Sequence, residues 1–226
     1  MNIKRELKKS AQFDLISFDI FDTLIKRNVL LPTDIFYHVG RDVLGNVVEA
    51  KVFQKRRIEA EREARRKSDN GEVCLKDIYR ELYVYYGIKA CILKEKEVDL
   101  ELHSCTPRDK WVKLLKAFKE KGKKIILISD MYLPSSIIRN ILDNCGISEY
   151  DNIYVSNEYA CDKVGGKLYE IARSREIGER CLHRHYGDSL KADYFGAKKG
   201  GAKPVLVFKE KWIHVIWVKI LRKFRN

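Results

Sequence analysis

The sequence predicts an α/β fold: a Rossmann-like, doubly wound parallel sheet with a helical cap inserted after the first strand. Three observations carry this. Short apolar runs rich in β-branched and aromatic residues end in polar ones. Helical stretches, two of them closed by glycine, lie between the later runs. A long interval behind the first run holds helical patterns and no strand.

The elements follow in order. Phe13–Asp19 (FDLISFD) ends at a carboxylate and fits a buried strand. From about Lys26 to Glu120 nothing reads as a strand. Helices are expected over Pro32–Leu44, Val47–Lys67, Leu75–Tyr86, Ile92–His103 and Pro107–Lys121, with Gly71, Gly87 and Pro107 as punctuation. The last of these packs on the sheet, and the four before it form the insertion. Lys124–Ser129 (KIILIS) stops at Asp130, Asp151–Ser156 (DNIYVS) at Asn157 and His183–Gly187 (HRHYG) at Asp188; Pro204–Phe208 (PVLVF) makes a fifth strand. Pro134–Cys145, closed by Gly146, then Lys167–Arg175, then Leu190–Lys199, closed by Gly200, are the connecting helices. The expected organisation is a core of residues 11–28 and 105–208, a cap of residues 29–104, and a basic amphipathic helix at 209–226. Ligands bind such sheets beyond the carboxyl ends of the strands. Four of the five runs end in Asp, Ser or Asn, which gathers polar groups at one rim.

Composition narrows the function. The 226 residues carry a formal charge of +13, but residues 198–226 hold nine Lys/Arg and one acid, so the surplus sits mainly in the tail. Aromatic and basic residues do not interleave elsewhere, which argues against nucleic acid as a partner. With 45% hydrophobic and 34% charged residues, the chain is neither disordered nor built to span a membrane. Six scattered cysteines (74, 91, 105, 145, 161, 181) form no metal or redox motif and predict reduced, mostly buried thiols in a cytoplasmic protein. Asp14 and Asp19 interrupt any apolar segment behind the basic N-terminus, so no signal peptide is expected.

Four motifs lie in order at strand ends. Phe18-Asp19-Ile20-Phe21-Asp22-Thr23-Leu24 resembles the first motif of the haloacid dehalogenase (HAD) superfamily of hydrolases, in which the first Asp is the nucleophile. Ser129, in ILISDMY, resembles the second motif. Lys163, in VSNEYACDKVGGKLYEIA, resembles the third. Asp188 and Asp193, in GDSLKAD, resemble the fourth. The resemblance spans nearly the whole chain. It implies Mg²⁺ held by Asp19, the Phe21 carbonyl, Asp188 and Asp193, and a covalent aspartyl-phosphate route. Lys163 would hold Asp19 and the phosphoryl group, and Ser129 would hydrogen-bond a phosphoryl oxygen.

One position departs from the phosphatase pattern. Phe21 stands where a second Asp serves as general acid/base, and Asp22, one place later in the usual glycine slot, is the candidate substitute. Three readings stay open within the family: a Mg²⁺-dependent phosphohydrolase, a dehalogenase-like enzyme that needs no acid there, and a catalytically weak module that keeps the fold for binding. Against the second, the pair Asp188 and Asp193 suits a cation that dehalogenases do without. The spellings SFDIFDTLIKR, ILISDMYLP and VSNEY further resemble a bacterial group found beside glycosyltransferases in surface-polysaccharide loci. That group shares the Phe; the resemblance does not fix its substrate, and the context of those loci favours a small phosphorylated, sugar-derived one.

Other features have plainer readings. His183 and His185 alternate on a strand without a third ligand, which favours a structural role. Tyr79, Tyr83 and Tyr86 have helical spacing and fit the insertion's core. Arg57, Glu61 and Arg65 share a helix face, either self-paired in solvent or overhanging Asp19. In the tail, Trp212, Ile213, Ile216, Trp217, Ile220, Leu221 and Phe224 gather opposite Lys211, Lys219, Arg222 and Arg225. That pattern suits a peripheral membrane contact and a docked protein helix equally.

Overall fold

The computed structural model describes residues 2–176 and 181–208; the tail helix expected at 209–226 lies outside them. A five-stranded, all-parallel sheet runs through the molecule in the order β5-β4-β1-β6-β7, with β1 at Leu15–Phe18, β4 at Lys124–Ser129, β5 at Asn152–Val155, β6 at His183–Gly187 and β7 at Lys203–Leu206. β1 lies between β4 and β6, and its four residues are all buried. That burial on both faces is why β1 and β4 are mainly apolar without alternation, Ser17 being the one polar residue inside β1.

Each face of the sheet has its own core. Ile16, Phe18, Ile125, Leu127 and Tyr186 pack towards α6 (Asp109–Glu120), whose Trp111, Leu115 and Phe118 meet them. An N-terminal helix that the sequence pattern did not suggest, α1 (Ile3–Lys9), holds this side through Glu6, which accepts from Arg184 at 2.8 Å and from the Tyr186 hydroxyl at 2.9 Å. Leu15, Ile126, Ile128 and Tyr154 face the other way, against Leu168, Tyr169 and Ala172 of α9 (Lys167–Glu176).

Between β1 and α6 the chain forms four helices: α2 (Asp34–Leu44), α3 (Val47–Lys67), α4 (Leu75–Tyr86) and α5 (Lys89–His103). The expectation of no strand from Lys26 to Glu120 is corrected here. β2 (Ile25–Arg27) and β3 (Cys105–Pro107) pair antiparallel, Ile25 opposite Pro107 and Arg27 opposite Cys105, and frame the helices like a stem. Three-residue strands that pair across some eighty positions leave no periodicity to read. The helices also touch the sheet side directly. The Leu75 backbone N–H donates to the Tyr132 carbonyl at 3.0 Å, and the Ser156 hydroxyl donates to Glu72 at 2.5 Å.

The charged helix α3 pairs within its own face as expected, since Glu61 accepts from both Arg57 and Arg65, but it is not solvated throughout. Arg57 is fully buried, bidentate to Glu97 of α5 at 2.7 and 2.8 Å, with its guanidinium 4.3 Å from the Phe36 ring centroid and 4.7 Å from that of Tyr132. Tyr79 also donates to Glu97, at 2.7 Å. Arg57 is thus buried and not solvated; it also donates to Glu61 at 3.1 Å, and Arg65 joins the same carboxylate from the more exposed side. Of the three tyrosines, Tyr79 is buried, Tyr86 packs against Phe53, and Tyr83 is exposed. All six cysteines are free thiols, but only Cys145 is buried, because most of them sit on element edges and not in the core. No helix among the described residues is long and apolar enough to cross a membrane.

Candidate active site

The carboxyl ends of β1, β4 and β6 bring the motif residues together. Asp19 follows β1, and its backbone N–H donates to the Tyr186 carbonyl of β6 at 2.8 Å, which extends the ladder by one rung. Its carboxylate, Asp188 beyond β6, and Asp193 lie with one oxygen each within 4.8 Å of one another. Lys163 reaches in from the loop behind α8 (Ser156–Tyr159), and its Nζ donates to Asp19 and Asp193, both at 2.6 Å. The loop itself is anchored where the Lys163 backbone N–H donates to Asp130 at 2.9 Å. Ser129 closes β4 and is buried at the same rim.

Asp193 sits on an unusual element. The single helix expected over Leu190–Lys199 is a π-helical turn, Leu190–Gly196, that runs into the short α10 (Ala197–Lys199). Such wide turns recur at functional sites. The wider turn aims Asp193 back at the strand ends, and the Ser189 backbone N–H donates to its second oxygen at 2.8 Å. Two glycines make room. A Cβ on Gly187 would stand 2.3 Å from Asp193 Cγ, and one on Gly196 would stand 2.1 Å from the Lys163 carbonyl oxygen. Neither position tolerates a side chain without displacing a residue of the cluster.

Charge at this rim is concentrated and buried. Burial pushes the Asp19 carboxyl well above its usual range, and Asp193 and Asp188 push it further, against the opposing pull of Lys163. Burial also opposes the charge on Asp193, but Lys163 and His185 outweigh it and hold this carboxyl far below the usual range. Lys163 is disfavoured as an ammonium by burial, yet its two carboxylates raise it well above an ordinary lysine. Asp19 and Asp193 therefore share one buried ammonium, Asp188 converges on the same point, and all three groups are hard oxygen donors. That set fits a divalent cation such as Mg²⁺.

Phe21 and Asp22 leave the strand line. The Phe21 ring lies under the Arg27 guanidinium, 4.1 Å from centroid to carbon, and Arg27 is held at 2.8 Å by the buried Glu101 of α5. Asp22 adopts φ 60°, the left-handed conformation that explains why glycine suits this slot, and its carbonyl accepts from Arg108. Asp22 is not one of the three converging carboxylates.

The sequence pattern gave no sign of what supports Asp193. His185 Nε2 lies 3.1 Å and the Tyr169 hydroxyl 3.3 Å from its oxygen. Ser17 Oγ bridges His183 Nε2 at 2.6 Å and His185 Nδ1 at 2.8 Å. The available signal was a serine inside an apolar strand opposite two alternating histidines.

A carboxylate with a lysine partner at the end of the central strand of a parallel sheet marks a class of hydrolases. Residues 13–201 match the family model for haloacid dehalogenase-like hydrolase, and the chain belongs to that family. No curated protein matches the chain in sequence. Among solved structures, it is similar to a protein of Bacillus subtilis, YfnB, assigned as a HAD-hydrolase and bound to magnesium (17% identity, 91% of this chain and 98% of that one, TM-score 0.57). It is similar also to a HAD phosphatase from Thermococcus onnurineus (18%, 87% of each chain, 0.59) and to a 2-haloacid dehalogenase from Pseudomonas syringae (14%, 94% and 99%, 0.61). At such identities the likeness is one of fold.

Proposed function

We propose that the chain is a Mg²⁺-dependent phosphohydrolase that moves a phosphoryl group first to Asp19 and then to water. The observation that carries this reading is the convergence of three carboxylates, Asp19, Asp188 and Asp193, within 4.8 Å of one another at the strand ends, with the Lys163 ammonium joined to two of them. Mg²⁺ held by Asp19, Asp188, the Phe21 carbonyl and Asp193 would cancel the repulsion between a carboxylate nucleophile and phosphoryl oxygens.

The protein's own groups do the rest. An oxygen of Asp19 attacks phosphorus and the bond to the leaving oxygen breaks, giving an aspartyl-phosphate that water hydrolyses. Lys163 holds Asp19 in place and offers positive charge to the phosphoryl group. Ser129 donates to a phosphoryl oxygen as charge develops there. With Phe21 in the acid's usual place, Asp22 or solvent protonates the leaving oxygen. A missing acid costs about 10²–10⁴ in rate, so good leaving groups are favoured. The motif spellings make small phosphorylated sugars the substrate class of first choice.

Phosphate release from p-nitrophenyl phosphate and a panel of sugar phosphates, with Mg²⁺ and with EDTA, compares wild type with Asp19→Asn. Loss of release in the variant and in EDTA is expected; equal release from both proteins sinks the nucleophile. Phe21 favours a second, dehalogenase-like reading, in which halide is released from 2-chloropropionate without a metal. A chain inactive in both assays is a module that keeps the fold for binding.

A further inference from the structure

We infer that Ser17, His183 and His185 form a directed hydrogen-bond chain that positions Asp193, and through it Lys163, for the work of Asp19; the functional half rests on the phosphohydrolase reading.

The direction follows from the donors available. An ionised carboxylate only accepts, so the 3.1 Å contact between His185 Nε2 and Asp193 Oδ1 requires the proton on Nε2. In a neutral ring Nδ1 is then bare and accepts from the Ser17 hydroxyl at 2.8 Å. Ser17, its hydrogen committed, accepts from His183 Nε2–H at 2.6 Å. Burial favours neutral rings: His185 and Ser17 have no exposed surface, and His183 has 2%. The same burial holds both imidazoles below their ordinary range.

Placement gives the chain its purpose. Ser17 lies two residues before Asp19 on β1, directly across from His185 in the β1–β6 register. The chain therefore ties the two strands together one layer beneath the carboxylates. Above it, Asp193 Oδ1 takes His185 and Lys163, while Oδ2 takes the Ser189 backbone, so the carboxylate has one orientation; the Tyr169 hydroxyl, 3.3 Å from Oδ1, is shared with the Ala192 carbonyl at 3.1 Å. The Lys163 ammonium shared between Asp193 and Asp19 inherits it. These are positioning residues, since none of the three touches Asp19.

Ring ¹⁵N spectra of the full-length protein test the chain, and calorimetric Mg²⁺ titration with steady-state kinetics tests its purpose. Both rings in wild type are expected as neutral Nε2–H tautomers. Ser17→Ala removes the donor to His185 Nδ1 and should shift that nitrogen's resonance, while Asp193 keeps the proton on Nε2. The substitution should also weaken Mg²⁺ binding or lower kcat by about 10–100-fold, the usual cost of losing a group that orients a metal ligand. His185→Gln, which keeps a donor near Asp193, should retain more of both than His185→Leu. If the leucine variant does not fold, Ser17→Ala decides.

Nδ1–H or doubly protonated rings in wild type would overturn the chain. Wild-type Mg²⁺ affinity and kcat in a folded Ser17→Ala would overturn its purpose. A wild type that neither binds Mg²⁺ nor releases phosphate defeats the phosphohydrolase reading instead, and the ring spectra then decide the chain alone.

Discussion

Adding a single methyl group at Gly187 tests whether the site depends on the placement of Asp193. The new Cβ of Gly187→Ala would lie 2.3, 2.4 and 2.6 Å from Asp193 Cγ, Cβ and Oδ2. Non-bonded carbons settle near 3.5–4.0 Å, so Asp193 must retreat by roughly 1 Å. That shift breaks the 2.6 Å contact with Lys163 and the 2.8 Å contact with the Ser189 backbone. Overpacking of this kind costs about 1–3 kcal/mol, a fall in Tm of roughly 2–12 °C for a chain of this size. A displacement of about 1 Å in an active site costs on the order of 10² in rate. Gly146→Ala is the control, because Gly146 has φ +68° with open space around it. Alanine there costs about 1–2 kcal/mol from the backbone alone, far from the carboxylates. Thermal melts and phosphate release on both variants should show comparable destabilisation but a rate loss only in Gly187→Ala. If Gly187→Ala melts and turns over like wild type, the close packing around Asp193 is wrong.

Three further outcomes are expected. His183 and His185 are held below the ordinary imidazole range, so the unfolded chain takes up protons below about pH 6.5 that the folded one refuses. Stability is thus present above that pH and falls below it, by up to roughly 1.4 kcal/mol per pH unit for each ring. Urea melts from pH 7 to 5 should show a shallower fall in His183→Gln, and an identical slope refutes the assignment. Arg57→Ala strands Glu97 in the helical layer and should cost about 3–5 kcal/mol, whereas Arg57→Met with Glu97→Leu recovers much of it; Tm ranks the two. Removal of residues 209–226 should abolish flotation with anionic vesicles, and unchanged flotation removes a lipid role for the basic tail.

What could be read from sequence depended on how local the cause was. β4 and β6 begin and end at the expected residues, and so do α3 and α4, because apolar runs and helical periods are written in consecutive positions. The β2–β3 ribbon was illegible, being three residues on each side with Pro107 in one of them. The π-turn around Asp193 is indistinguishable from ordinary helix in sequence, since Leu190–Lys199 has acceptable helical residues and no local pattern marks the wider turn. Arg57 looked solvated in a helix dense with charge, and its buried partner lies forty positions away on another helix. At the rim, Asp19, Lys163, Asp188 and Asp193 do come together, as strand-end motifs of a parallel sheet should. Asp22 was placed by its neighbourhood in sequence, and its left-handed backbone sets it apart from that group. The support under Asp193 needed Ser17 and His185 face to face, which only strand register supplies.

The small ribbon also bears on how the molecule folds. β1 must find β4 across more than a hundred residues, Leu15 opposite Lys124. Pairing of Ile25–Arg27 with Cys105–Pro107 draws the four-helix excursion into a closed loop of its own. The remaining search then spans roughly thirty residues, not a hundred, which lowers the entropic cost of closure by about 1 kcal/mol. Helices that form from neighbouring contacts, clasped at their base, thus act as a folding aid for the pairing of β1 with β4.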